Sequence, residues 1–148
     1  MSPTRVFRSE EATVDVYPDG SFIHLIWNGN ASGAKYRLPV EKLIETVKQY
    51  SIVYFLSDTR RMGPILYADT EWTEKVVIPE LITAGVRRSA VLSSRDVLNM
   101  IAIDNMVASI PAEAPYVVAF FATTEEAMKW LYKDAPLAAP ILLDTAMQ

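Results

Sequence analysis

The sequence predicts an α/β domain with a mixed, largely parallel sheet of about five strands, an N-terminal β-hairpin and four flanking helices. Three observations predict it. Two strand-like runs flank a Pro18-Asp19-Gly20 turn. Beyond Pro39, apolar stripes at helical spacing alternate with short apolar runs of strand length. No internal repeat or linker interrupts the alternation, so single strands joined by helices imply parallel pairing through right-handed crossovers.

The elements follow in order. Over residues 12–17, Val14 and Val16 alternate with Asp15 and Tyr17, the period of a strand. In the turn, Pro18 fixes φ and Gly20 accepts a positive φ. Residues 21–27 are apolar on both faces apart from His24, as an interior strand is, and they complete the hairpin. Asn28-Gly29-Asn30 ends it, and residues 31–37 have room for a further short extended piece. Pro39 opens the first helix, where a missing donor costs nothing. Val40, Leu43, Ile44 and Val47 form its apolar stripe. Residues 52–56 are a strand ending at Ser57-Asp58, and residues 59–68 are a loop containing Gly63-Pro64.

Asp69 or Thr70 caps a second helix that runs to about residue 84, where Gly85 supplies a left-handed stop. Pro79 lies inside it and predicts a kink, because its ring clashes with the Lys75 carbonyl. Residues 86–92 form a strand, and Ser93-Ser94 cap a third helix over about residues 95–108. A last strand begins near Tyr116 and closes at Phe120-Phe121. Thr123 and Glu126 form a capping box for a last helix over about residues 124–132. The tail, from about residue 134, carries Pro136, Pro140 and the apolar Leu137, Ile141, Leu142 and Leu143.

A length of 148 residues favours one domain spanning the whole chain. The net charge of −4 gives no footprint for nucleic acid, since Arg60-Arg61 and Arg87-Arg88 are isolated pairs. The absence of cysteine excludes disulfides, thiolate nucleophiles and cysteine zinc sites, and fits a reducing compartment. The first residues lack a signal-peptide core, and the longest apolar run, residues 116–122, falls far short of a membrane span. The cytoplasm is the expected location, with no membrane partner.

Catalytic and cofactor patterns are not found. His24 is the single histidine and sits mid-strand, which suits a structural role. No metal motif, glycine-rich phosphate loop or Walker lysine occurs, so neither metal nor cofactor is expected. Asp69, Glu71, Glu125 and Glu126 fall in first turns of helices, where they complement the helix dipole. One constellation remains. In open α/β sheets ligands favour the crevice beyond the carboxyl ends of parallel strands. Here those ends carry Asp58, Thr59, Arg60 and Arg61, then Ser93, Ser94 and Arg95, then Thr123 and Thr124. Hydroxyls, arginines and helix starts suit an anion or a phosphorylated residue, whereas helix capping accounts for the serines and threonines alone. Trp72, in the first turn of its helix, joins the candidate site if that turn borders the crevice. The expected site is therefore Asp58, Thr59, Arg60, Arg61, Trp72 and Ser93 around one accessible depression.

Residues 52–131 resemble the small bacterial STAS-like proteins of SpoIIAA-like fold. The likeness is carried by Leu56-Ser57-Asp58-Thr59-Arg60, the helix from Trp72 to Pro79, and Gly85-Val86-Arg87-Arg88-Ser89-Ala90-Val91. It is carried also by Thr124-Glu125-Glu126-Ala127 with Trp130-Leu131, by the hairpin with Trp27-Asn28-Gly29, and by the Pro39 helix. The resemblance implies a sheet flanked by helices and a non-enzymatic regulatory or binding role with a protein partner. In the best-understood relatives, anti-sigma-factor antagonists, phosphorylation of a Ser or Thr after a strand-ending Asp is the switch, and Asp58-Thr59 resembles that position. The Asp-Ser-Ser-Gly run of those relatives is missing here, and about ten loop residues separate Thr59 from the next helix. Two alternatives stay open: a small-ligand or anion carrier using a pocket beyond the strand ends, and an enzyme with an acid–base pair centred on Asp58. The apolar tail either folds back on its own domain or joins a second copy as a homodimer.

Overall fold

The computed structural model describes residues 2–142. Among them, β1 (Thr4–Arg8), β2 (Ala12–Tyr17) and β3 (Phe22–Trp27) form an antiparallel meander. To this β4 (Tyr54–Asp58), β5 (Arg88–Leu92) and β6 (Val117–Phe121) add in parallel, in the order β1-β2-β3-β4-β5-β6. The sheet therefore has one strand more than the sequence suggests. The addition is β1, which enters through a turn held by Ser9: its hydroxyl accepts from the Glu11 and Ala12 amides at 3.2 and 3.1 Å. A bulge between Arg5 and Phe7 and the ion pair from Arg5 to Asp15 mark this exposed edge.

Local signals act as read, with shifted boundaries. In the first hairpin the left-handed residue is Ser21, at φ 53°, rather than Gly20. The Ser21 hydroxyl donates to the Ser51 carbonyl and accepts from the Val53 amide, tying the turn to the entry of β4. Helix α1 (Ala34–Tyr50) begins well before Pro39. Gly33, at φ 58°, turns the chain into it, so residues 34–37 are helical and not extended.

The second helical body comprises α2 (Tyr67–Trp72), a π-helical turn (Thr73–Val77) and α3 (Ile78–Ala84). The Ile78 amide reaches back to the Thr73 carbonyl, five residues away. The disruption expected at Pro79 thus takes the form of a widened turn just before the ring. Gly85, at φ 105°, ends α3 as its position implies.

Helix α4 (Val97–Ala108) is capped by Asp96, whose carboxylate accepts from the Asn99 amide at 2.9 Å. Ser94, expected to cap, instead accepts from the Asp96 amide and donates to the Met62 carbonyl at 2.7 Å. Thr123 caps α5 (Thr124–Leu131), accepting from the Glu126 amide and donating to its carboxylate.

The layers follow from the strand order. Strands are added in one direction, so right-handed crossovers place their helices on one face. Accordingly α1, α3 and α4 contribute Leu43, Leu81 and Met106 to one core, together with Val14, Leu25 and Phe55 from the sheet. Helix α5 and the chain after it cover the opposite face, where Phe22, Leu56, Leu92, Leu131 and Tyr132 are fully buried. Each such side chain contributes roughly 1.5–3 kcal/mol by leaving water. In the tail, Leu142 packs on this second core while Leu137 and Ile141 are exposed; Leu143 lies outside the described residues. No helix of the described residues is long and apolar enough to cross a membrane.

Candidate functional site

The carboxyl ends of the parallel strands are tied tightly to one another. Asp58, the last residue of β4, is buried, and one of its carboxylate oxygens accepts from the Arg60 amide and Nε at 3.1 and 3.0 Å. The other accepts from Arg60 Nη2 at 2.8 Å. The next residue, Thr59, is 2% exposed, and both its amide and its hydroxyl donate to the Leu92 carbonyl, at 3.1 and 2.7 Å. The Ser93 amide donates in turn to the Phe121 carbonyl. Asp58-Thr59 therefore closes the edge between β4 and β5. The Thr59 hydroxyl is buried and engaged within the sheet.

Arg60, Arg61, Ser93 and Arg95 line one open depression at these ends, with Phe120 beside them. Thr59 and Ser93 meet again in a smaller recess next to it. Trp72 stands apart from this group. Its ring meets Tyr36 edge-on at 6.1 Å, and the Arg37 guanidinium lies over it at 5.1 Å. Tyr36 stacks on Trp27 at 5.2 Å, and Asp69 holds Arg37 and the Gly33 amide. Trp72 thus belongs to the seam where α1 meets α2.

Another space lies deeper, between the sheet and its crossover helices. A cavity of 110 Å³ is floored by Phe55, Ser57 and Val91 and roofed by Leu43, Leu81 and Met106. No Asp, Glu, Lys, Arg or His is among its lining residues. Its polar groups are hydroxyls that largely satisfy one another. Tyr116 bonds Ser89 at 2.6 Å, and Tyr36 bonds Thr73 at 2.8 Å. Burial pushes both phenols up to about 12, so they stay neutral in the ordinary pH range. His24 follows the strand alternation onto the opposite face, beside Phe22 at 6.0 Å between rings.

The side recess, of 120 Å³, shares Thr59, Val91 and Ile103 with the cavity and adds Ser94, Asn99 and Asp104. Asn99 was not among the residues singled out from the sequence. It is fully buried in the first turn of α4, and its amide nitrogen donates to the Gly63 carbonyl at 2.9 Å. One signal was available: a lone amide in the otherwise apolar opening Val97-Leu98-Asn99-Met100-Ile101. The described residues hold no group of three or more His, Cys, Asp or Glu placed to bind a metal.

No protein-family model matches the chain, and no curated protein matches it in sequence. Among solved structures, the chain is similar to an uncharacterised protein of the DUF3478 family with a SpoIIAA-like fold from Shewanella loihica PV-4. The identity is 15%, the TM-score is 0.55, and the likeness covers 88% of this chain and 92% of that one. The fold of the present chain is SpoIIAA-like.

Proposed function

We propose that this SpoIIAA-like domain is a non-enzymatic binding module that holds a small, largely apolar ligand between its sheet and its crossover helices. The observation that carries the reading is the uncharged 110 Å³ cavity inside an otherwise packed core. That volume approaches the roughly 150 Å³ that accommodates benzene in an engineered apolar cavity. The non-catalytic part of the reading is supported by Asp58, whose carboxylate is taken up by Arg60, and by His24, which lies across the sheet from the cavity.

Titration of the isotope-labelled chain with toluene tests the proposal. Saturable amide shifts confined to β4, β5, α3 and α4 are expected. An unchanged spectrum, or shifts spread over the surface, would overturn it.

A second reading, a regulatory domain that docks a protein partner, is favoured by α4, which exposes Val97, Leu98, Met100 and Ile101 together. A partner retained by the native chain and lost with Leu98→Asp would favour this reading. A homodimer would draw on the exposed Leu137 and Ile141, and sedimentation at micromolar concentration reads it directly.

A further inference from the structure

The side recess adds a chemical requirement to the cavity with which it shares Thr59, Val91 and Ile103. Apart from the Ser93 hydroxyl, its polar side chains have their donors committed already. The Thr59 hydroxyl hydrogen is directed at the Leu92 carbonyl, and the Ser94 hydroxyl hydrogen at the Met62 carbonyl. Asn99 Nδ2 is directed at the Gly63 carbonyl, which fixes the amide orientation, since the flipped amide would set oxygen against oxygen. Asn99 Oδ1 is left as a fully buried acceptor with no hydrogen-bond partner. Asp104 adds a carboxylate to the same lining, which contains no Lys or Arg. An orphaned amide oxygen in a low-dielectric site is costly, and a donor supplied from outside the chain relieves that cost.

We propose that the ligand is an apolar body bearing a hydrogen-bond donor, a hydroxyl or amino group, with the apolar part in the cavity and the donor in the recess on Asn99 Oδ1. This rests on the ligand-binding reading above and names the chemistry that reading leaves open. A carboxylate or phosphate at the same place would face Asn99 Oδ1 and the Asp104 carboxylate, with the Ser93 hydroxyl alone to donate to it.

The experiment compares toluene, benzyl alcohol and benzoate as probes of the full chain, by amide shifts and by calorimetry. Benzyl alcohol is expected to bind about fivefold more tightly than toluene, the worth of one net hydrogen bond. It should also shift the Asn99 side-chain resonances, and benzoate should not bind. In Asn99→Ala, toluene affinity is expected to persist while the advantage of the alcohol disappears. Equal affinities in the native chain, an advantage that survives in Asn99→Ala, or preferred binding of benzoate would each overturn the inference. Should Asn99→Ala not fold, the pair of affinities in the native chain decides the matter alone. Toluene binding without preference sinks this inference and leaves the proposed function standing, whereas no binding of either neutral probe sinks both.

Discussion

The two faces of the sheet are built from the same strands and packed in opposite styles. Toward α1, α3 and α4 the strands present Val14, Leu25, Phe55 and Val91, and the helices leave a cavity over them. Toward α5 they present Phe22, Leu56, Ala90 and Leu92, with Leu131 and Tyr132 closing down on them. The Tyr132 hydroxyl donates to the Gly20 carbonyl at 2.6 Å, and its ring lies 4.5 Å from that of Tyr54. The second face also buries Thr13, Asp15, His24 and Asp58. The buried ionisable residues of the strands and the empty space are thus kept on different sides.

The contrast can be broken most severely on the filled side. Phe22→Ala removes a fully buried ring from the α5 face and is expected to cost about 3–5 kcal/mol in denaturant unfolding. A loss below about 1 kcal/mol would mean that this face is loosely packed. Asp58→Ala removes the buried carboxylate that accepts from the Arg60 guanidinium, and a loss of about 2–3 kcal/mol is expected. An unchanged unfolding midpoint would show that the pair contributes nothing net.

Alkaline titration probes the cavity side. Tyr36 and Tyr116 ionise near 12 in the folded chain, against an ordinary value of 10.0. Their contribution is complete below pH 10 and is lost as pH rises toward 12, because the unfolded chain releases these protons first. Stability should fall over that window by about 2 kcal/mol or more, and Tyr36→Phe and Tyr116→Phe should each flatten the fall. A profile unaltered by both substitutions would contradict the burial of these phenols.

The smallest effects compare neighbours on β5. Val91→Ile adds a methylene toward the cavity and is expected to be neutral or stabilising by under about 1 kcal/mol, while weakening toluene binding. Ala90→Val adds bulk toward α5, at a residue with no exposure, and is expected to cost about 1–3 kcal/mol. Equal responses at the two positions would erase the distinction between the faces.

Legibility in the sequence followed the same division. Period, turn and cap signals are local, so the hairpin, the crossovers, Gly85 and the Thr123 cap could be read directly. Strand β1 could not: Thr4-Arg5-Val6-Phe7-Arg8 has too few apolar residues to announce itself, and it is a strand because β2 offers an edge. The start of α4 moved because Ser94 prefers the Met62 carbonyl, a partner distant in sequence. Of the expected site residues at the strand ends, Arg60, Arg61 and Ser93 line one depression, whereas Asp58 and Thr59 are buried. Trp72 could not be placed from its first-turn position, since its surroundings depend on where α1 lies. The crevice rule applies where the strand order reverses, and here it runs monotonically from β1 to β6. The cavity left no pattern at all, because it arises from the misfit of side chains on separate elements.

The π-helical turn before Pro79 acts as a phase shifter. An α-helix advances about 100° per residue, so one residue in excess rotates everything after it by that amount. On the near side of the turn, Trp72 and Thr73 address Tyr36; on the far side, Ile78 and Leu81 address the sheet. One helical body thereby serves two neighbours whose surfaces are out of step. Deleting a single residue between Thr73 and Val77 would restore a regular helix at the cost of that service: if Trp72 kept its place, Ile78 and Leu81 would swing away from the cavity.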